Sequence, residues 1–189
     1  MRKTTAVLAA LAMMAAALVI GATPAQAAPY DHLGTAPVSG GAFYISNYWS
    51  DECIDVENGS STNGTHVQQY SCYVAWNQQF VLVYLGYVNN RQAWRIKPRF
   101  DQTKCVDVTD GVTQVGKPLQ IWTCSSGWQQ MFELHDVGSS SLHVYQIKPI
   151  YNGWCIGSTA TYDDLARLIE EPCGSDGESG RSQEWALSY

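Results

Sequence analysis

Basic residues are scarce in this sequence, which contains 11 Lys and Arg against 17 Asp and Glu and has a net charge of −6. Without Arg2 and Lys3, which lie in a segment that we expect to be removed, the net charge becomes −8. Such a surface repels phosphate groups, and no cluster of Lys and Arg interrupts it. Non-specific binding to nucleic acid or to anionic membranes needs such clusters. The sequence therefore argues against both as partners.

Long apolar runs are missing after the first 27 residues. Those residues begin with two basic side chains, continue through the apolar stretch 6–20 and end in the small-x-small signal Ala25-Gln26-Ala27. This order is typical of a secretory signal peptide, and the stretch is too short and too rich in alanine for a membrane span. We interpret residues 28–41 as a linker or tail and residues 42–189 as one domain of a secreted, extracellular protein without membrane insertion.

Catalytic and metal-binding motifs are missing as well. The sequence has no C-x-x-C pair for zinc, no Gly-x-Ser-x-Gly nucleophile turn and no metal-ligand spacing among its histidines. The histidines are His32, His66, His135 and His143. The adjacent acids Asp163-Asp164 and Glu170-Glu171 do not form a glycosidase couple, because neighbours on a strand point to opposite faces. We predict no cofactor, no metal site and no enzymatic activity.

What the sequence does contain is one segment in three copies. Each copy opens with a cysteine, has a second cysteine 18 or 19 residues later and ends in a triplet that begins with Gln and closes with an aromatic residue. The triplets are Gln78-Gln79-Phe80, Gln130-Met131-Phe132 and Gln183-Glu184-Trp185. Three copies of one unit predict a closed threefold structure.

The cysteine spacing also predicts the disulfide bonds. Six cysteines in an exported chain indicate disulfides, and about fifteen pairings are possible on paper. The nearly equal separations favour pairing within each copy. The predicted pairs are Cys53 with Cys72, Cys105 with Cys124, and Cys155 with Cys173. By the loop-entropy model, each loop of this size contributes about 3 kcal/mol to stability.

Short strands dominate the rest of the pattern. Phe43-Tyr44-Ile45, Trp94-Arg95-Ile96 and Tyr145-Gln146-Ile147 precede the three copies, and each alternates as a half-buried strand does. Turn formers lie between the copies, at Asn89-Asn90 and at 138–141. The only helix candidate, Tyr162 to Ile169, we interpret as an irregular loop followed by a strand. The sequence thus predicts an all-β fold with four strands per copy, closed so that no long edge is exposed.

Together these features resemble the ricin B-chain type lectins, which are β-trefoils. The resemblance covers about residues 42–189 and rests on the triplets, the cysteine spacing and the Cys-x-Asp-Val opening of the first two copies. It implies three four-stranded repeats with pseudo-threefold symmetry and one disulfide per repeat. It also implies binding of glycans such as galactosides or xylan-like polysaccharides. We expect the protein to act as a monomer.

A sugar presents hydroxyl pairs that suit a carboxylate with amide partners, and a C–H face that suits an aromatic ring. The first repeat supplies this set, with Asp55 as acceptor, Gln68 and Asn77 as amide partners and Tyr70 as the aromatic platform. In the resemblance to the family's galactose pocket, Gln78 corresponds to a glutamine that steadies the aspartate from behind. The first repeat is therefore a predicted carbohydrate site.

The second repeat matches this set with one departure. The corresponding residues are Asp107, Gln120, Trp122, Gln129 and Gln130. Gln129 stands where the family usually has asparagine, so we expect the first site to be the stronger one.

The third repeat lacks the set. Gly157 stands at the aspartate position, Ile169 at the glutamine and Glu171 at the aromatic residue. We expect this repeat to be structural only, and substitution of Glu171 to have no effect on binding.

These residues also have simpler interpretations. Asp55 and Asp107 could be turn or cap residues, Tyr70 and Trp122 could be buried, and the triplet aromatics are expected in the core. Two further functions stay open. One is a trefoil that binds a protein partner such as a protease, with the loop from Tyr162 to Leu168 as the candidate surface. The other is an accessory to a glycan-active enzyme.

Overall fold

The computed structural model describes residues 34–160, 162–174 and 178–189. The predicted signal peptide and residues 28–33 of the predicted linker lie outside the described residues. Short 3-10 turns and the four-residue helix α1 (Glu178–Arg181) connect some of the strands. The strands are β1 (Ala42–Asn47), β2 (Glu52–Val56), β3 (Thr65–Ser71), β4 (Gln79–Val88), β5 (Arg91–Pro98), β6 (Lys104–Val108), β7 (Lys117–Thr123), β8 (Phe132–Asp136), β9 (Val144–Pro149), β10 (Cys155–Ser158), β11 (Leu168–Glu171) and β12 (Trp185–Ser188).

Six of the strands close into a barrel. β1 pairs with β4, β4 with β5, β5 with β8, β8 with β9, β9 with β12, and β12 returns to β1, all antiparallel. Closure leaves no free edge among these strands, which is how all-β folds avoid edge-to-edge association. Each repeat contributes its first and fourth strands to this barrel.

The other six strands form three hairpins that cap the barrel. The hairpins are β2–β3, β6–β7 and β10–β11. They join in a triangle, through Thr65 opposite Ile121, Ile169 opposite Pro118, and a single bridge between Gln68 and Arg167. Barrel and cap together are a β-trefoil, so the predicted fold is confirmed.

The core takes side chains from all three repeats because the alternating positions of each strand face inward. Phe80, Phe132 and Trp185, the aromatic ends of the three triplets, are each fully buried. The three disulfides join the predicted partners, with Cα–Cα distances of 5.0, 5.0 and 4.9 Å. The predicted cysteine pairing and the core position of these aromatics are therefore confirmed.

Two local predictions are also confirmed. Asn89 and Asn90 both have positive φ, 50° and 62°, in the two-residue turn between β4 and β5, as expected for a tight hairpin turn. The segment from Tyr162 runs as an irregular loop until β11 begins at Leu168. Within the described ranges, no helix has both the length and the apolar character needed to cross a membrane.

Candidate functional site

The pairing of β2 with β3 brings the first predicted carboxylate and its amide partners together. Asp55 and Gln68 lie directly opposite each other, and Gln68 Nε2 donates to Asp55 Oδ1 at 3.2 Å. Asn77 Nδ2 and Gln78 Nε2 donate to the other oxygen, Oδ2, at 2.8 and 3.2 Å. Three of the predicted residues thus hold the Asp55 carboxylate from two sides.

The environment of Asp55 combines burial with amide donors. Only 2% of the residue is exposed. Burial raises the pKa of Asp55 above its ordinary value, while the hydrogen bonds from Gln68, Gln78 and Asn77 act in the opposite direction. Because an ionised carboxylate forms stronger hydrogen bonds than a neutral acceptor, an Asp55 oriented in this way is suited to bind hydroxyl groups.

Gln78 ties the carboxylate to the neighbouring chain segments. The 3-10 turn Trp76–Gln78 places this side chain immediately before β4. Its Nε2 also donates to the carbonyl of Ser71 at 3.0 Å, and its Oε1 accepts the backbone N–H of Tyr73 at 3.1 Å. The half-buried ring of Tyr70, the predicted platform, meets the Tyr73 ring with centroids 5.6 Å apart. Carboxylate, strand and loop therefore form one connected unit.

The second repeat has a similar arrangement of hydrogen bonds. Gln120 Nε2 and Gln130 Nε2 each donate to one oxygen of Asp107 at 2.9 Å. Gln130 also donates to the carbonyl of Thr123 at 3.1 Å and accepts the backbone N–H of Ser125 at 2.7 Å. Burial raises the pKa of Asp107, the two amides act against it, and the charge of Asp110 raises it further. In both repeats, two glutamines therefore hold the carboxylate, one at each oxygen.

Gln129 is where the two sites differ. Asn77 donates to Asp55, but no hydrogen bond joins Gln129 to Asp107 within the described chain. The longer side chain turns instead toward Gly127, where an added Cβ would lie 2.5 Å from Gln129 Oε1. Asp107 therefore has two amide donors where Asp55 has three.

An open cavity of about 290 Å³ lies at the second site. It is lined by Asp107, Thr109, Asp110, Gln120, Trp122 and Gln129. Trp122 is 44% exposed, so this predicted platform is not part of the core. Thr109 and Asp110 were not predicted. The sequence feature that could have identified them is Asp110 itself, an acidic turn-forming residue two positions after Val108. Asp110 has a positive φ of 63°, as such a turn requires.

Each pocket is bordered by the hairpin tip of the preceding repeat around the threefold axis. At the second pocket, Asn63 Oδ1 accepts the backbone N–H of Thr123 at 2.9 Å, and an added Cβ on Gly64 would lie 4.0 Å from the Trp122 ring. At the first pocket, Asp164 Oδ1 accepts the backbone N–H of Ser71 at 2.6 Å. The third repeat therefore contacts the first site even though it lacks the residues that were predicted to bind carbohydrate.

The Asp164 contact includes a second carboxyl group. Glu52 lies opposite Ser71 in the β2–β3 register. Burial raises the pKa of Glu52 to about 7, helped by its hydrogen bond to Asp164 and by the charges of Asp164 and Asp51. Glu52 and Asp164 therefore influence each other's ionisation where the third repeat meets the first.

The loop proposed above as a protein-binding surface is bonded into the cap. Gln69 N–H donates to the carbonyl of Ala166 at 2.8 Å, and Leu165 N–H donates to the carbonyl of Gln69 at 2.9 Å. Tyr162 and Leu165 remain 62% and 60% exposed. The loop backbone thus forms one side of the hairpin triangle, while some of its side chains face solvent.

The third repeat keeps the glutamine but takes its carboxylate from a different strand. Gln183 Nε2 donates to Glu171 Oε1 at 2.9 Å and to the carbonyl of Pro172 at 3.2 Å. A Cβ added to Gly157 would lie 2.5 Å from the same Glu171 oxygen. The Glu171 carboxylate therefore fills the space that an aspartate side chain at 157 would need, a role that the sequence did not reveal.

Glu170, the other member of that acidic pair, has a structural environment. It is fully buried and accepts hydrogen bonds from the Tyr151 hydroxyl at 2.6 Å, the Asn152 amide at 2.9 Å and the Gln114 backbone N–H at 3.2 Å. Its acceptor capacity is largely used by these donors. Across residues 34–160, 162–174 and 178–189, no group of three or more His, Cys, Asp or Glu could hold a metal ion.

Two family models match the chain. One, described as a ricin-type beta-trefoil lectin domain, matches residues 92–189, and another, described as ricin-type beta-trefoil lectin domain-like, matches residues 32–122. The chain belongs to the ricin-type beta-trefoil lectin domain family. Membership of this lectin family supports carbohydrate binding. No curated protein sequence matches the chain.

Solved structures agree on the fold. The designed threefold-symmetric protein ThreeFoil superposes with a TM-score of 0.68 at 26% identity, covering 77% of this chain and 96% of its own. A Macrolepiota procera ricin B-like lectin in complex with lactose has a TM-score of 0.62 at 17% identity, covering 81% and 98%. An exo-beta-1,3-galactanase from Clostridium thermocellum has a TM-score of 0.68 at 22% identity over 80% of this chain, which spans only 31% of that enzyme.

Proposed function

We propose that the chain is a secreted, non-catalytic lectin that binds galactose-type or xylan-type glycans through the pockets of Asp55 and Asp107. The observation that carries the proposal is the repeated arrangement of a buried carboxylate, held by side-chain amides, beside an aromatic ring. Family membership supports it. The twice-used arrangement is what a pyranose requires, because the carboxylate accepts hydroxyl groups while the ring packs on the C–H face.

The two pockets differ in how many hydrogen bonds the carboxylate already accepts. Asp107 has one amide donor fewer than Asp55 and adjoins the cavity of about 290 Å³. At the first site, Asn77 Nδ2 already donates to Asp55 at 2.8 Å and to the carbonyl of Val56 at 3.2 Å. Since a sugar must displace or share those contacts, we propose that the second pocket binds a monosaccharide more tightly. This reverses the ranking expected from Gln129 alone.

Each pocket by itself is expected to be weak. A few hydrogen bonds of about 1 kcal/mol net each and one stacked ring of about 1 kcal/mol give about −4 kcal/mol, which is roughly millimolar affinity. Two pockets held rigidly on one domain make the second contact with a polymer intramolecular. Avidity for a polysaccharide then rises by about two orders of magnitude or more without new contacts.

A glycan array probed with residues 28–189 tests the proposal. We expect binding to β-galactoside or xylan-like glycans, and loss of polymer binding in the double variant. Asp55→Asn and Asp107→Asn should fold cooperatively but melt at a lower temperature than wild type, because an asparagine cannot accept the amide hydrogen bonds that reach both carboxylate oxygens. Incubation with the bound glycan followed by product analysis should show no turnover. Hydrolysis that disappears on substitution of a single acid would make the chain an enzyme, and glycan binding unaffected by the double substitution would place the site elsewhere.

A further inference from the structure

The first pocket carries an apolar loop that the second pocket lacks. Tyr73 and Val74 directly follow the disulfide cysteine of the first repeat and are 53% and 54% exposed. The corresponding residues of the second repeat are Ser125 and Ser126. Both loops are anchored alike, since Gln78 and Gln130 accept the backbone N–H of the first loop residue. The two repeats therefore share a backbone anchor but present different surfaces.

The Tyr73 ring continues the surface of the predicted platform. It meets the Tyr70 ring at a centroid distance of 5.6 Å and an interplanar angle of 75°. The two rings thus form an aromatic corner. Gln78 links this corner to the acceptor, because the same amide side chain that holds the Tyr73 backbone also donates to Asp55 Oδ2 at 3.2 Å. The position of Tyr73 is therefore coupled to the pocket.

The backbone of Val74 is strained. Its φ is +59°, in the left-handed region that a β-branched residue rarely adopts. Ser126 is not among the described residues with positive φ. Strained backbone is typical of binding sites and persists only where the surroundings hold it. Here the Cys53–Cys72 disulfide and the Gln78 contact hold the loop, so two apolar side chains remain exposed beside the first pocket.

We propose that Tyr73 and Val74 form a subsite for a second sugar ring. The ring held by Asp55 would be followed along the glycan by a residue whose C–H face packs on Tyr73, so that the first pocket selects disaccharides and longer chains. The second pocket, with serines at these positions, selects on the first ring only. This inference rests on the proposed function of the Asp55 pocket.

The test isolates the first pocket with Asp107→Asn and compares a monosaccharide with its trisaccharide by NMR titration. Tyr73→Ser introduces the second repeat's own residue. We expect it to weaken trisaccharide binding about fivefold, the size of effect that one packed aromatic ring produces, and to change monosaccharide binding less than twofold. The matched gain is Ser125→Tyr in an Asp55→Asn chain, which should acquire a trisaccharide preference. Thermal melts establish that each variant is folded.

The outcomes separate the subsite from the pocket itself. An unchanged trisaccharide preference in Tyr73→Ser overturns the subsite and leaves the pocket standing. Tighter monosaccharide binding in Tyr73→Ser also overturns it, because Tyr73 would then cover the platform. A glycoside with an apolar alkyl tail that matches the trisaccharide in its dependence on Tyr73 would overturn the assignment to a sugar ring. A folded Asp107→Asn chain that binds neither saccharide overturns the proposed function of the first pocket, and the subsite with it.

Discussion

The second and third repeats share a scaffold and differ in what it presents. In both, a buried glutamine donates to a carboxylate and to a backbone carbonyl at the end of the hairpin's second strand or just after it, and it accepts a backbone N–H from the loop that follows that strand. In the second repeat the carboxylate is Asp107, which lines an open cavity. In the third it is Glu171, which fills the place of a missing side chain at Gly157. The glutamine thus has a carboxylate partner in both repeats, whereas the proposed sugar binding also requires an aromatic ring beside that carboxylate.

The largest contrast should come from the aromatic residues of the two repeats. Trp185 is fully buried and donates to the carbonyl of Ile156 at 3.0 Å, so Trp185→Ala should cost about 3–5 kcal/mol of unfolding free energy. Trp122 is 44% exposed, so Trp122→Ala should leave stability nearly unchanged and weaken sugar binding. Urea denaturation combined with sugar titration measures both. A large stability loss in Trp122→Ala would contradict the division of roles.

Placing an aspartate at position 157 of the third repeat should destabilise the protein unless Glu171 is replaced as well. Gly157→Asp alone places a side chain against Glu171 Oε1, 2.5 Å from the new Cβ, and should cost about 1–3 kcal/mol through overpacking. Adding Glu171→Tyr removes the nearest of the atoms that crowd this Cβ, although Gln183 Cγ remains 2.9 Å away. It should recover part of that loss, because Gln183 can then donate to the introduced carboxylate. Thermal denaturation shows whether the double variant is more stable than the single one. Equal stability of the two would contradict the claim that the Glu171 carboxylate occupies the place of an aspartate side chain at 157.

Removing the Glu171 carboxylate should have a smaller effect on stability and none on binding. Glu171→Ala leaves the buried Gln183 amide without this acceptor, at a cost of about 1 kcal/mol. Glu171→Gln keeps an acceptor oxygen and serves as the matched control. Chemical denaturation should separate the two variants, while their glycan affinities stay at the wild-type value. Identical stability of Glu171→Ala and wild type would contradict the structural role of the Glu171 carboxylate.

The smallest expected effect concerns the contact of the third repeat's hairpin tip with the first repeat. The folded pKa of Glu52, about 7, exceeds its ordinary value of 4.5, so the folded state binds this proton more strongly than the unfolded state does. The stabilisation of the fold by protonated Glu52 is therefore fully present below pH 4.5, and it is lost as the pH rises through 7. We expect the melting temperature to fall modestly across that window, and Glu52→Gln to flatten the change. A wild-type profile matching that of Glu52→Gln would contradict the assignment.

The sequence predicted features that depend on spacing along the chain. The cysteine separations and the triplets ending in Phe80, Phe132 and Trp185 were sufficient for the trefoil, because each repeat must supply the same core positions. The contacts of the Asp55 and Asp107 carboxylates could likewise be predicted from the sequence, since the register of each hairpin places the aspartate opposite its glutamine.

Features that depend on the direction of a side chain could not be predicted from the sequence. Glu171 reaches the space above Gly157 diagonally across the β10–β11 pair, where Gly157 faces Ile169. That replacement requires a long side chain and an empty neighbour, and no spacing rule indicates it. The same holds for Gln129, whose turn toward Gly127 changes the donor count at Asp107. These two side chains underlie the structural role that we assign to Glu171 and the ranking that we propose for the two pockets.

An NMR titration of isotope-labelled protein with the monosaccharide selected by the array tests the central claim most directly. We expect two separate sets of shift changes, one around Asp55 and a stronger-binding one around Asp107, and none around Gly157. Asp107→Asn should abolish the second set and leave the first, and Asp55→Asn should do the converse. Shift changes centred on the third repeat, or changes that survive in the double variant, would contradict the account.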